Sequence, residues 1–253
     1  MYASNSITAT TRKKGPVIAI DGPAGAGKST VAKAIAEMFG LAYVSTGLIY
    51  RALTLKAICL GADIREAECI GELARSADVA VLPEDGDCRI LLDGEDVTAE
   101  LTSPEVCAYV SQVAEIPDVR AALLDIQRAI AKKGSVVMDG RDIGTVVAPD
   151  ADVKIFLVAD FEERVRRRVL QARERGYDVV EKTVVSEIKN RDTIDSGRKV
   201  APLKPAPDAI TVDTTGKTPE ETIAEVAGII RKELCGNEVR NTSEGMGEKS
   251  CFT

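Results

Sequence analysis

A glycine-rich segment near the N-terminus constrains the fold of this chain more than any other feature. Residues 17–30 read VIAIDGPAGAGKST and match the pattern GxxxxGK[ST] from Gly22 to Ser29. The apolar run before the glycines predicts a buried strand, and a helix follows from about Lys28. Glycines let the backbone wrap closely around an anion, and a helix N-terminus supplies free N–H groups. The segment therefore predicts a phosphate-binding loop between a strand and a helix, with a nucleotide as its ligand.

The loop residues have distinct expected roles. Lys28 is expected to reach the β- and γ-phosphates, and the Ser29 hydroxyl to bind Mg²⁺. The backbone of the whole loop is expected to contact the nucleotide. The candidate ATP-binding residues are Gly22, Pro23, Ala24, Gly25, Ala26, Gly27, Lys28, Ser29 and Thr30. An ordinary strand–turn–helix connection is the alternative, which the flanking strand and helix patterns disfavour.

Composition excludes several classes of function. The 253 residues include no histidine, which rules out imidazole catalysis and histidine metal sites. The net charge of −7 disfavours non-specific binding to nucleic acid or to an anionic membrane. No apolar run has the length of a membrane span, and the cysteines lack CxxC spacing, so we expect a cytoplasmic protein with reduced thiols. The six cysteines are Cys59, Cys69, Cys88, Cys107, Cys235 and Cys251.

The order of elements predicts an α/β fold of the P-loop class with three layers. Five short apolar runs alternate with helical patterns, which is typical of a parallel sheet covered on both faces. These runs are residues 17–20, 41–44, 135–138, 153–158 and 210–212. A second group, residues 79–82, 88–92 and 95–97, is separated by Asp-Gly pairs and predicts a small antiparallel sheet. We expect this insert and an arginine-rich helical lid to flank the phosphate loop.

The predicted organisation follows from these patterns. Residues 15–62, 105–160 and 200–235 form the core, 63–104 the insert and 161–199 the lid. Residues 1–14 are expected to be a mobile tail and 236–253 a disordered tail, because both are polar.

Two places outside the loop carry candidate site residues. Thr46 lies at the start of a helix predicted over 48–60, and Arg51 lies one turn inside it. Helix capping by Ser45 or Thr46 is the alternative to anion binding there. Asp139 ends a buried strand and is a candidate Mg²⁺ ligand, because open α/β sheets bind ligands at the carboxyl ends of their strands. A simple Asp-Gly turn is the alternative for Asp139.

The arginines indicate phosphoryl transfer. This chemistry depends on positioning and on charge stabilisation by Mg²⁺, lysine and arginine, and it needs no histidine. Two phosphate groups brought together require several cations. The arginines at loop or element ends are Arg51, Arg141, Arg191 and Arg198, and those of the lid helix are Arg164, Arg166, Arg167, Arg168 and Arg173. Most of the lid arginines are expected to form a solvated face, and one or two to fold over the ligand.

Four tracts resemble the bacterial cytidylate kinases, which are P-loop nucleoside monophosphate kinases. They read IDGPAGAGKST, STGLIYR, MDGRDIGTVVAPDADVKIFLVA and IKNRDTIDSGRKVAPL, and the resemblance extends from Val17 to Leu234. It implies a monomeric enzyme that converts ATP and CMP or dCMP to ADP and the corresponding diphosphate, with Mg²⁺. It also implies that the insert binds the monophosphate and that the lid covers ATP.

The resemblance also implies roles for individual residues. Ser111, Arg120 and Asp142 would read the cytosine; Arg51, Arg141 and Arg198 would hold the monophosphate, with Thr46 beside it; Arg191 and Asp195 would contact the ribose. The catalytic group would be Lys28, Arg141, Asp142 and Arg191. A carboxylate suits cytosine, whose N4 amino group is a donor where uracil has an acceptor. Members of the family commonly have an aspartate where this chain has Ser45, and a smaller residue at Leu48.

Two other functions stay open at this point. One is a kinase for a different small acceptor, either another nucleotide or an alcohol. The other is a nucleotide-dependent switch; a GTPase usually has an NKxD tract, and no asparagine here is followed by lysine.

Overall fold

The computed structural model describes residues 15–84, 86–174 and 176–244, with 236–244 described by their backbone alone. The strands are β1 (Val17–Asp21), β2 (Ala42–Ser45), β3 (Val79–Glu84), β4 (Asp87–Leu92), β5 (Glu95–Asp96), β6 (Val136–Gly140), β7 (Val153–Val158) and β8 (Ile210–Asp213). The helices are α1 (Lys28–Phe39), α2 (Thr46–Cys59), α3 (Ala67–Ser76), α4 (Pro104–Glu115), α5 (Pro117–Lys133), α6 (Phe161–Glu174), α7 (Glu181–Gly197) and α8 (Pro219–Glu244). A π-helical turn, Ile143–Val147, follows β6.

The central sheet is parallel, and its strand order is β2-β6-β1-β7-β8. β1 lies in the middle, where Asp21 pairs with Gly140 of β6 and with Phe156 of β7. The phosphate loop therefore leaves the sheet between two neighbours whose carboxyl ends lie at the same edge. The predicted five-stranded parallel sheet is confirmed.

Helices cover both faces of this sheet. Because side chains alternate along a strand, Ile18 and Ile20 pack with α1 and α8 on one face, whereas Ala19 packs with Met138 and α5 on the other. Both sides of β1 are fully buried. The result is the three-layer α/β arrangement predicted from the sequence.

The small antiparallel sheet is also confirmed, with the order β3-β4-β5. The sequence predicts only strands between residues 63 and 104, and this is wrong for α3. That helix buries Ile70 and Ala74 in a core shared with α2 and α5, and Gly71 lies so close to α5 that a Cβ there would be 2.9 Å from Asp118 Cβ. Its own residues Ile70 and Ala74 make an apolar face that α2 and α5 cover, and the prediction of strands alone overlooked this short amphipathic pattern.

α6 and α7, in the segment for which a lid is predicted, pack around a small apolar cluster of Val165, Val169, Val184 and Ile188. The sequence predicts that α7 ends at Asp192, but the helix continues to Gly197. Arg191 is therefore inside a helix and not at an element end. No proline interrupts the helix, and Asp195 faces inward, where arginines surround it.

The predicted tails fall mostly outside the described residues. Residues 1–14 and 245–253 lie outside them. The predicted start of the second tail, residue 236, falls inside α8, which continues to Glu244. Polar composition does not by itself end a helix, and residues 236–244 contain no proline. Among the helices in the described ranges, none is long and apolar enough to cross a bilayer.

Candidate active site

The phosphate loop has the backbone conformation that its glycines predict. Gly22 has a φ of 148°, and a Cβ there would lie 2.2 Å from the Leu157 carbonyl oxygen of β7. Gly27, the residue before α1, is in the left-handed region with a φ of 89° and offers no side chain to cap the helix. The first N–H groups of α1 are therefore left for a ligand, at the positive end of the helix dipole.

Lys28 is buried at the base of this loop. Its Nζ donates a hydrogen bond to the Pro23 carbonyl oxygen at 2.8 Å, which holds the side chain folded over the loop. Burial, reinforced by the positive charge of Arg141, lowers the pKa of Lys28 well below its usual value, whereas Asp139 opposes that change. A ligand that brings negative charge to this place would restore the lysine's preference for the charged form.

Ser29 and Asp139 lie together, as predicted for a magnesium site. Ser29 Oγ donates to Asp139 Oδ2 at 2.6 Å. A hydroxyl and a carboxylate are hard oxygen ligands of the kind that Mg²⁺ takes, with phosphate oxygens and water as the others. The described ranges contain no group of three or more acidic, histidine or cysteine side chains arranged for a metal. These two residues therefore fit a metal that arrives with a nucleotide.

One cavity of about 910 Å³ joins the loop to most of the other candidate residues. The candidates that line it are Ala24, Gly25, Ala26, Gly27, Lys28, Ser29, Thr30, Thr46, Arg51, Ser111, Arg120, Asp139, Arg141, Asp142, Arg191, Asp195 and Arg198. Gly22 and Pro23 are the two candidates that shape the loop without lining the cavity. A volume of this size is typical of a small-molecule site.

Asp142 lies in a buried basic cluster. Arg120 Nη2 donates to its carboxylate, and Arg198 Nη2 lies 4.0 Å from its other oxygen. All three side chains are less than a tenth exposed. Arg120 is supported by the Tyr50 ring, 5.5 Å from its guanidinium carbon, and by the Ala114 carbonyl, which accepts from Nη1 at 3.2 Å. The carboxylate is thus fixed in direction, with polar arginine atoms around it.

A second carboxylate, Asp195, gathers the remaining arginines. Arg141 Nε donates to Asp195 Oδ2 at 2.7 Å, and Arg198 and Arg191 lie 3.6 and 3.9 Å from its oxygens. Burial alone would raise the pKa of Asp195, but Arg141 and Arg191 outweigh it and lower the pKa. Burial and then Arg141 lower the pKa of Arg191 to about 9. Positive charge is therefore crowded here, which favours an anionic ligand.

Three arginine nitrogens in these clusters are buried without a hydrogen-bond partner among the described residues: Arg120 Nε, Arg191 Nε and Arg198 Nη2. A buried donor without a partner costs free energy, about 1–3 kcal/mol each. Such donors are expected where a bound ligand supplies the acceptors.

The second loop does not show the side-chain capping that was the alternative to anion binding there. The Ser45 side chain makes no cap bond at the start of α2, and Thr46 Oγ1 donates to the Asp139 carbonyl oxygen at 2.9 Å. Arg51 donates to the Leu101 carbonyl oxygen at 2.9 Å and to Cys107 Sγ at 2.8 Å. Ser45 and Leu48, the two residues that differ from the family pattern, both line the cavity.

Two of the arginines of α6 make structural contacts with other elements, a role that the prediction of a mostly solvated face does not assign to them. Arg164 is buried and bonds the Ala24 carbonyl of the phosphate loop at 3.2 Å and Asp192 at 3.0 Å. Arg167 bonds the Thr214 carbonyl at 2.6 Å and also Glu163. Arg166 and Arg168 line the cavity from the side of α6. Arg166 bonds Glu163 and Arg168 bonds Gln171, both within α6, and Arg168 also interacts with Cys107 of α4.

Several residues at or near the site were not predicted from the sequence. The residues after β8 that line the cavity are Thr214, Gly216, Lys217, Thr218 and Pro219. The rule that strand carboxyl ends bind ligands could have identified them. Tyr50 lies beside Arg51 in a quoted tract, but its place under Arg120 depends on tertiary packing. Asp21 is the last residue of β1, directly before the loop. The motif does not include it, and its partners Ile143 and Gly144 are distant in sequence.

The fold and the cavity together define a P-loop kinase: the phosphate loop leaves the central strand of a parallel sheet, and a basic cavity joins it to an insert and a helical lid.

Comparison with known proteins gives the family. The cytidylate kinase family model matches residues 18–232, and the chain belongs to this family. The chain is 50% identical over 219 residues to the cytidylate kinase of Caldanaerobacter subterraneus subsp. tengcongensis, a match that covers 87% of this chain and 96% of that protein. It is 48% identical over 211 residues to the cytidylate kinase of Symbiobacterium thermophilum, covering 83% of this chain and 93% of the other. The cytidylate kinase of Limosilactobacillus fermentum is 48% identical over 223 residues, covering 87% and 98%.

Proposed function

We propose that this enzyme transfers the γ-phosphoryl group of ATP to CMP or dCMP and so forms ADP and CDP or dCDP. The observation that carries the proposal is Asp142, a buried carboxylate held by Arg120 and Arg198 in the same cavity as the phosphate loop. A fixed carboxylate accepts from the N4 amino group of cytosine, and Arg120 donates toward its N3 and O2 side. Uracil presents the opposite pattern at position 4 and at N3, and only O2 is an acceptor in both bases.

The arginines then serve the acceptor phosphate and the sugar. Arg51, Arg141 and Arg198 are assigned to the phosphate of CMP, and Arg191 with Asp195 to the ribose. Thr46 orients the second loop through its bond to the Asp139 carbonyl, and Ser111 contributes a hydroxyl from α4. Ligand oxygens would accept from Arg191 Nε and Arg198 Nη2, which make no hydrogen bond among the described residues.

The loop residues hold the donor. The N–H groups from Gly25 to Thr30 surround the phosphates, and Lys28 exchanges its bond with the Pro23 carbonyl for the β- and γ-phosphates. Ser29 and Asp139 would hold Mg²⁺, which supplies charge neutralisation at the phosphates when bound. An oxygen of the CMP phosphate attacks the γ-phosphorus as the bond to the ADP oxygen breaks, while Lys28, Arg141 and Arg191 stabilise the charge.

The segments receive corresponding roles. Residues 63–104 form the monophosphate-binding insert. The Leu101 carbonyl oxygen of this insert accepts a hydrogen bond from Arg51, which is assigned to the acceptor phosphate. Residues 161–199 form the lid, which excludes water when both substrates are bound. One chain supplies the complete set of site residues, so a monomer with two small-molecule substrates is sufficient.

An acceptor panel tests the proposal. ADP formation from Mg-ATP is measured with CMP, dCMP, UMP, AMP, GMP or no acceptor, using the purified full chain. We expect rapid ADP formation with CMP and dCMP, slower formation with UMP, and none with the purine monophosphates. ADP formation that is independent of acceptor, or equal for all monophosphates, contradicts the proposal and leaves an ATPase or a kinase for another acceptor.

A further inference from the structure

We propose that Asp21 is a positioning residue for base recognition, and that it acts by capping the turn after Asp142 so that the Asp142 carboxylate stays directed at the base. The inference rests on the proposed function, because it concerns how that same site selects cytosine. It assigns to Asp21 a task that is separate from binding ATP, although Asp21 directly precedes the phosphate loop.

The contacts of Asp21 are specific. Its Oδ1 accepts from the Ile143 N–H at 2.9 Å and its Oδ2 from the Gly144 N–H at 2.8 Å. Both N–H groups begin the π-helical turn that follows Asp142. Asp21 is 5% exposed, and Ile143 and Gly144 are buried as well. A carboxylate on β1 thus satisfies two donors on the segment that follows β6, across the strand pair at the centre of the sheet.

An aspartate in the position of Asp142 normally caps the helical turn with its own side chain. Aspartate immediately before a helical turn is a favoured N-cap, because its side chain accepts from the first free N–H groups. Asp142 occupies that position with a φ of −143°, yet its side chain makes no cap bond. Its carboxylate instead contacts Arg120 and Arg198. Since Asp21 accepts from the Ile143 and Gly144 N–H groups, these two donors do not compete with the cavity for the Asp142 carboxylate.

The energetics agree with a functional role. Burial raises the pKa of Asp21 to about 6, even though the Gly144 and Ile143 N–H groups lower it. The ionised carboxylate is therefore kept near neutral pH at a cost to the folded state. Buried groups with perturbed pKa values, which cost the folded state free energy, are common at functional sites.

A double-mutant cycle tests the inference. Asp21→Asn keeps the shape but presents an amide NH₂ to one of the two N–H groups, so the cap is weakened. We expect the KM for CMP to rise by about 10-fold or more, as the loss of a charge-assisted hydrogen bond predicts, while the KM for ATP changes by less than about threefold. In an Asp142→Ala background, the same Asp21→Asn change should alter the KM for CMP by less than about threefold, because its effect passes through Asp142.

The matched control is Asp152→Asn. Asp152 Oδ2 accepts from the Val17 N–H at 2.8 Å at the opposite end of β1, so this variant alters the same kind of bond away from the cavity. We expect it to leave the KM for CMP unchanged. Asp21→Ser, which also lacks the charge, provides the comparison if the asparagine variant does not fold.

Two results would overturn the inference. Independent, multiplicative effects of Asp21→Asn and Asp142→Ala on the KM for CMP would mean that Asp21 does not act through Asp142. An equal rise in the KM for ATP would mean that Asp21 serves the phosphate loop. If the unaltered enzyme does not phosphorylate CMP at all, the proposed function fails first, and that outcome is separate from both.

Discussion

Replacing Lys28 with methionine is expected to lower kcat for CMP phosphorylation by about 10³-fold, because removing one charged donor at developing phosphate charge costs two to three orders of magnitude. Methionine is similar in length and fits the buried site, so the change removes mainly the charge. Initial rates at saturating ATP and CMP measure the effect. The KM values should change less than kcat.

The control for this variant is Lys132→Met, an exposed position in the last turn of α5. It should leave kcat unchanged. Lys28 Nζ also bonds the Pro23 carbonyl, so thermal unfolding of both variants must be compared with the unaltered protein. A folded Lys28→Met enzyme with normal kcat would remove the phosphate loop from the proposed reaction.

Replacing Asp142 with alanine is expected to reduce kcat/KM for CMP by about 10²–10³-fold and to remove most of the preference for CMP over UMP. A site built to hydrogen-bond one pattern rejects the other because its buried groups are left unpaired, by as much as about 10⁴-fold in favourable cases. ATP binding should be unaffected, since Asp142 contacts the arginines of the acceptor side. Parallel kinetics with both acceptors and a titration of ATP provide the measurement.

Loss of Asp142 also leaves Arg120 and Arg198 without a carboxylate at this position. Removing one partner of a buried ion pair costs about 3–5 kcal/mol, so the free energy of unfolding should fall as well. Asp118→Ala is the matched control, because Asp118 forms an exposed pair with Arg75 at 3.0 Å. Unchanged discrimination between CMP and UMP in a folded Asp142→Ala enzyme would contradict the assignment of the base site.

The parts of the fold that follow from local pattern were predictable. The glycine spacing from Gly22 to Gly27 specifies the phosphate loop, and the apolar runs specify the five strands that pair around β1. Because parallel strands end at the same edge of the sheet, Asp139 was expected close to the phosphate loop. The 2.6 Å hydrogen bond between Ser29 and Asp139 shows that they are neighbours. In each case the physical cause lies within a short stretch of chain or in the common direction of parallel strands.

The parts that depend on distant partners were not predictable. α3 is stabilised by α2 and α5, and α7 continues past Asp192 because Asp195 finds Arg141 on another element. Likewise, the buried place of Arg164 requires the Ala24 carbonyl, which lies 140 positions away in sequence. The charged face of an arginine-rich helix is usually solvated, and only the packed structure reveals which of its side chains contact other elements.

Direct transfer of the phosphoryl group between two nucleotides is tested by following that group with a label. The enzyme is incubated with Mg²⁺, CMP and ATP labelled at its γ-phosphorus, and the products are separated and counted. We predict that the label appears in CDP, with one CDP formed for each ADP and negligible labelled inorganic phosphate. Label recovered as inorganic phosphate, with CMP unchanged, would contradict the account.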